Sequence, residues 1–134
     1  MKSTQMHALL VLILISSSAF PQASRGTSAR AEKGWKQFYA GFVAALKKRD
    51  RAALKTMLPP RFDNDGDGDY SRDDWIRLID KDSMWQGLQR QAALGTKRTA
   101  DRPPTRVTND DRPGSLYFLF GKDGRWRWAG LVGD

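Results

Sequence analysis

The chain has no cysteine, a single histidine (His7) and a single glutamate (Glu32). Without cysteine no disulfide can staple the fold, so stability must rest on apolar packing, helped at most by a metal. His7 lies inside an N-terminal apolar segment, so the remainder offers neither imidazole nor thiolate. That excludes Ser-His-Asp and Cys-His nucleophilic sites, and zinc sites built on His or Cys. Acid–base work would fall to Asp, Tyr or Lys. No separate base, nucleophile or phosphate-cradling loop accompanies them, so an enzyme is not the expectation. Internal repeats, low-complexity runs and nucleic-acid-binding motifs are also missing.

The N-terminus reads as a targeting segment. Lys2 gives a short positive start, residues 8–15 are continuously apolar, and Ser16-Ser17-Ser18-Ala19 supplies small residues. This is the pattern of a secretory signal peptide, too short for a stable bilayer anchor. Cleavage after Ala19 puts Ser17 at −3; cleavage after Ala23 is the alternative. The expected organisation is a signal peptide (1–19), a flexible leader (20–30) and one domain (31–134), in a secreted or periplasmic protein. About 100 residues is enough for a core without staples.

The formal net charge is +8. Residues 63–74 alone hold six Asp and one Arg, so the rest carries +13. A basic surface of this kind is a solvated face or an attraction to anionic envelope material, such as lipid headgroups, wall polymers or extracellular DNA.

Four helices are expected, over about 31–49, 51–58, 72–80 and 83–94. Trp35, Phe38, Phe42 and Leu46 recur at helical spacing, and Lys47-Lys48-Arg49 suit the last turn. Asp50 can cap the second helix and Pro59-Pro60 ends it. Ser71, with Asp74 three residues on, forms a variant capping box for the third. Thr96 to Pro104 reads as loop. The C-terminus alternates instead: 115–121 and 125–132 form an antiparallel hairpin around Gly121-Lys122-Asp123-Gly124, with Trp126, Trp128 and Val132 on one face. Thr105 to Thr108 suits a third, edge strand. Helices first and a hairpin last define an α+β domain.

The motif that carries chemistry is Asp63-Asn64-Asp65-Gly66-Asp67-Gly68-Asp69-Tyr70-Ser71-Arg72-Asp73-Asp74. Counted from Asp63, carboxylates stand at positions 1, 3, 5 and 7, Gly68 at 6, Ser71 at 9 and Asp74 at 12. Alternating carboxylates turn hard oxygens toward one cation, and the glycine permits the sharp bend. Asp63, Asp65 and Asp67 would ligate through side chains. Asp69 would ligate through its backbone carbonyl, Ser71 directly or through water, and Asp74 as the closing carboxylate. The loop resembles the calcium loop of EF-hand proteins. That resemblance implies Ca²⁺, with Mg²⁺ as a weaker competitor. Aspartate, shorter by one methylene, replaces the usual closing glutamate, so a single oxygen is expected to reach the ion. Since Pro59-Pro60 breaks any entering helix and no second loop exists, this is a lone loop inside another fold. The alternative is an Asp-Gly turn whose last residues merely cap a helix.

Two further features, the helix pair 38–55 with Asp50 at its junction and the closing hairpin 118–132 with its Asp-Gly turn and Trp, resemble the nuclear transport factor 2-like (cystatin-like) superfamily. That resemblance implies a curved sheet and a non-catalytic small-ligand pocket, with Trp126, Trp128, Tyr117 and Phe42 as its candidate wall. Two functions therefore stand side by side: an exported binding or structural module carrying one calcium loop, and a small-ligand-binding domain.

Overall fold

The computed structural model describes residues 20–64, 68–100, 104–110 and 112–132, with side chains from residue 26 onward. Its fold is α+β. Helices α1 (Phe20–Lys48) and α2 (Arg51–Thr56) lead into strands β1 (Arg61–Asn64) and β2 (Asp69–Ser71). Helices α3 (Arg72–Lys81) and α4 (Trp85–Ala93) follow, then β3 (Thr96–Arg98), β4 (Thr105–Thr108), β5 (Ser115–Phe120) and β6 (Trp126–Val132). The six strands form one mixed sheet in the order β2-β1-β6-β5-β4-β3. Every pairing is antiparallel except β1 with β6, which is parallel.

Local signals account for the helix boundaries. The Asp50 side chain accepts from the Ala53 N–H at 3.0 Å and starts α2. Ser71 does the same for α3, accepting from the Asp74 N–H at 3.2 Å. Each cap satisfies a backbone donor that the first helical turn leaves unpaired. Helix α1 begins at Phe20, so residues 20–30, expected as a flexible leader, are helical. Ala23, Arg25, Ala29 and Arg30 are strong helix formers that let α1 extend N-terminal to its packed segment.

The helices pack on one face of the sheet through a single apolar cluster that includes Trp35, Phe42, Leu46, Phe62, Trp75, Ile79, Trp85, Phe118, Trp126 and Trp128. Phe42 and Trp128 are fully buried, with ring centroids 5.5 Å apart edge to face. Trp35 meets Trp126 at 4.7 Å and Phe118 at 5.2 Å in the same manner. Edge-to-face rings add to the burial of their large apolar areas. The Trp126 indole donates to the Ala31 carbonyl at 2.7 Å, tying α1 to β6.

Three strands depart from the sequence expectation. β1 runs into the acidic motif and β2 lies within it, and β3 lies in the segment read as loop. β4 is not an edge: β3 covers it. Val132 does not join Trp126 and Trp128 in the core but is exposed. The cause is a register shift: Tyr117 pairs with Gly130 and Phe118 with Trp128, leaving Ala129 unmatched. One extra residue inverts the side-chain alternation beyond it, so Leu131 turns toward the core and Val132 toward solvent.

Candidate functional site

The acidic motif folds as a β-hairpin that runs directly into a helix. β1 replaces the entering helix of an EF-hand, as Pro59-Pro60 requires. Asp63 and Asp69 are directly opposed across the hairpin, and Phe62 opposes Tyr70 beside them. Side chains alternate along a strand. Phe62 therefore points into the core, stacked on Trp75 at 4.1 Å, while Asp63 and Asp69 stand exposed on the other face. Gly68 holds φ +100, the left-handed bend that its position in the loop demands. The Asn64 N–H donates to the Gly68 carbonyl at 3.4 Å and closes the turn.

The remaining motif residues are distributed as follows. Asp65 and Asp67 lie outside the described residues. Ser71 Oγ is engaged as the cap of α3, and Asp74, in the first turn of α3, accepts from Arg77 at 3.1 Å with its side chain more than half exposed. Asp73 pairs with Lys55 at 2.5 Å, which lowers its carboxyl below the ordinary value. Asp63 and Asp69 have no ion-pair partner among the described residues. Nor do the described residues bring three or more His, Cys, Asp or Glu side chains together in a group that could hold a metal ion. The structure thus opposes two of the motif's carboxylates, Asp63 and Asp69, and places two more, Asp73 and Asp74, in the first turn of the adjoining helix.

The helix behind the tip is anchored by a group that no local pattern reveals. Asp80, near the end of α3, accepts two hydrogen bonds from Arg51 at 2.7 Å each and one from the Trp85 indole at 2.9 Å. These donors hold its carboxyl down at about 2. Arg51 and Asp80 are 29 residues apart, so only the folded chain joins α2, α3 and α4 in this way. Trp75, immediately after the motif, is fully buried, and its indole N–H has no acceptor among the described residues. Ring contacts with Phe62, Tyr70 and Trp128 fix it instead. Arg72 donates to the Leu58 carbonyl at 3.0 Å and ties the start of α3 to the turn before β1.

The candidate ligand wall does not line one space. Phe42, Trp126 and Trp128 are buried, Phe42 against Trp128 and Phe118, and Trp126 against Trp35. Tyr117, half-buried, lies on the opposite face of the sheet, paired with Val107 and Gly130. A groove of about 340 Å³ does run between α2 and α3, lined by Arg51, Ala52, Lys55, Asp73, Ile76 and Arg77 together with Asp80. Its rim cations Arg51, Lys55 and Arg77 are already paired with Asp80, Asp73 and Asp74.

No family model matches the chain, and neither a curated protein nor a solved structure matches it.

Proposed function

We propose that this chain is an exported binding or structural module whose hairpin tip holds one calcium ion. The ligands are Asp63, Asp65, Asp67, the Asp69 carbonyl, Ser71 and Asp74. The observation that carries this reading is the direct cross-strand opposition of Asp63 and Asp69. Like charges facing each other across an antiparallel pair destabilise it. No basic side chain among the described residues is ion-paired with either carboxylate, so an external cation is the natural counter-charge. Two features support the same reading: the bend at Gly68, and a helix that starts at loop position 10 and brings Asp74 to position 12. Magnesium competes weakly, because it demands a small octahedron whereas calcium accepts six to eight oxygens.

Calorimetry of the protein with and without calcium tests the reading. A ligand that binds only the native state stabilises it by about 1.4 kcal/mol at ten times Kd. The expected result is a rise in Tm that disappears in the Asp63→Ala, Asp67→Ala double variant. A parent protein with no shift at millimolar calcium rejects the site. Export is checked separately by mass spectrometry: cleavage near Ala19 is expected, and a cytoplasmic species retaining Met1 rejects it.

The second reading, a small-ligand domain of the nuclear transport factor 2-like kind, draws support from the six-stranded sheet with its helices on one face. The packing of Phe42 on Trp128 and of Trp126 on Trp35 weighs against it, because rings that fill a core leave no wall for a ligand.

A further inference from the structure

Helix α1 is split lengthwise by charge. Its inner side carries Ala31, Trp35, Phe42, Ala45 and Leu46, all buried. Its one acid, Glu32, turns toward the sheet, where Arg98 meets it at 2.8 Å and Arg106 at 3.4 Å. The outer side carries Lys33, Lys36, Lys47 and Lys48, all exposed. At 3.6 residues per turn these four fall within a sector of about 120°, spread along roughly 22 Å of helix. Gln37, Ala40 and Ala44 fill the same sector, and none of them is acidic, aromatic or bulky. None of the four lysines has an ion-pair partner among the described residues. Exposed cations elsewhere are either paired, as Arg51, Lys55, Arg77, Arg98 and Arg112 are with an aspartate or glutamate within 3.1 Å, or sit on separate elements, as Arg61 in β1, Lys81 in α3 and Arg90 in α4 do.

We propose that this lysine face of α1 docks the protein on an anionic phospholipid bilayer. Charge complementarity is the argument, and the composition of the stripe selects the occupant. Lysine is a compact point charge that suits a diffuse array of headgroups, whereas arginine forks recognise individual phosphates. The stripe has no aromatic ring to stack on a base and no side chain suited to reading base edges, both of which nucleic-acid recognition uses. It also lacks a large apolar side chain to enter the acyl region, so the contact stays at headgroup level and depends on salt. The proposal is independent of the calcium site.

The test is co-sedimentation of the full chain with vesicles, in EDTA so that calcium cannot bridge protein to lipid. Neutral phosphatidylcholine vesicles are compared with vesicles carrying about 30% phosphatidylglycerol. The neutral vesicles measure any uptake through the apolar N-terminal segment. The expected result is preferential binding to the anionic vesicles that is lost as salt rises. Lys33→Gln, Lys36→Gln, Lys47→Gln and Lys48→Gln combined should weaken that preference by roughly tenfold or more. Glutamine keeps helix propensity close to that of lysine, and circular dichroism checks the fold. A control that removes the same charge elsewhere, at Lys81, Arg90, Lys122 and Arg125, should change it by no more than about twofold. Equal losses in both variants would leave only net charge and overturn the proposal. Absence of anionic preference overturns it too, as does tighter binding to duplex DNA than to the vesicles at the same ionic strength.

Discussion

Phe62 and Asp63 are neighbours in β1, yet they belong to regions built on opposite terms. On one face of the strand Phe62 lies fully buried between Trp75 and Trp128. On the other, Asp63 faces Asp69 in solvent. The interior is held by area removed from water and by close packing, both independent of pH and salt. At the tip Asp63 and Asp69 set like charges face to face, and their repulsion depends on the surrounding salt. The strand is shared, so the tip inherits its position from the core while contributing little to it. A functional loop can therefore carry electrostatic strain without endangering the fold.

The sharpest way to break this contrast is to empty the core. Trp128→Ala should cost about 3–5 kcal/mol, read as a lower midpoint in urea. It should loosen the tip as well, because Phe62 packs on the same ring. Next comes the seam between the regions. A Cβ on Gly130 would stand 2.7 Å from the Asp63 carbonyl, a backbone atom that cannot swing aside. Gly130→Ala should cost about 1–3 kcal/mol. Hydrogen exchange should rise across residues 61–71 while α1 stays protected; uniform loss would mean that the seam is not local. Ser71→Ala should cost about 1 kcal/mol by uncapping α3, measured in EDTA so that lost calcium binding does not add to it.

The smallest effect is one of pH. Donors from Arg51 and Trp85 lower the Asp80 carboxyl to about 2 from an ordinary 3.8. A depressed folded value gives stability that is present above the unfolded value and lost as pH falls toward 2. Asp110 and Asp123, also at about 2, act in the same window. Asp80→Asn should therefore flatten, without abolishing, the dependence of the urea midpoint between pH 4 and 2.

The helices were legible because each announces itself locally: the aromatic periodicity from Trp35 to Leu46, and the caps Asp50 and Ser71. The closing hairpin was legible from its alternation and its Asp-Gly turn. β1, β2 and β3 were not. Arg61-Phe62-Asp63-Asn64 has one apolar residue, and Thr96-Lys97-Arg98 has none. Strands with a solvated outer face near a sheet edge carry little hydrophobic pattern, and the parallel pairing of β1 with β6 joins distant segments that no window of sequence spans. Of the candidate site, the carboxylates and their spacing are read directly from the sequence. The opposition of Asp63 and Asp69 is not, because it depends on a strand register. The Asp80 anchor with Arg51 and Trp85 was hidden for the same reason. The aromatic wall was misplaced at Tyr117, one residue out of phase with the buried side of β5.

The strand that joins the two parts of the sheet comes last in sequence among the described strands. β6 sits between β1 and β5, so the β1–β2 hairpin has no other strand to join until residues 126–132 are available. A two-stranded ribbon of this length is marginal in water by itself. Closing the connection from residue 63 to residue 130 also carries the entropy of a long loop. During synthesis, then, the rings of Phe62 and Trp75 wait uncovered while the rest of the chain emerges. The nascent protein passes through a period when it is sticky, and that period ends only when β6 has emerged.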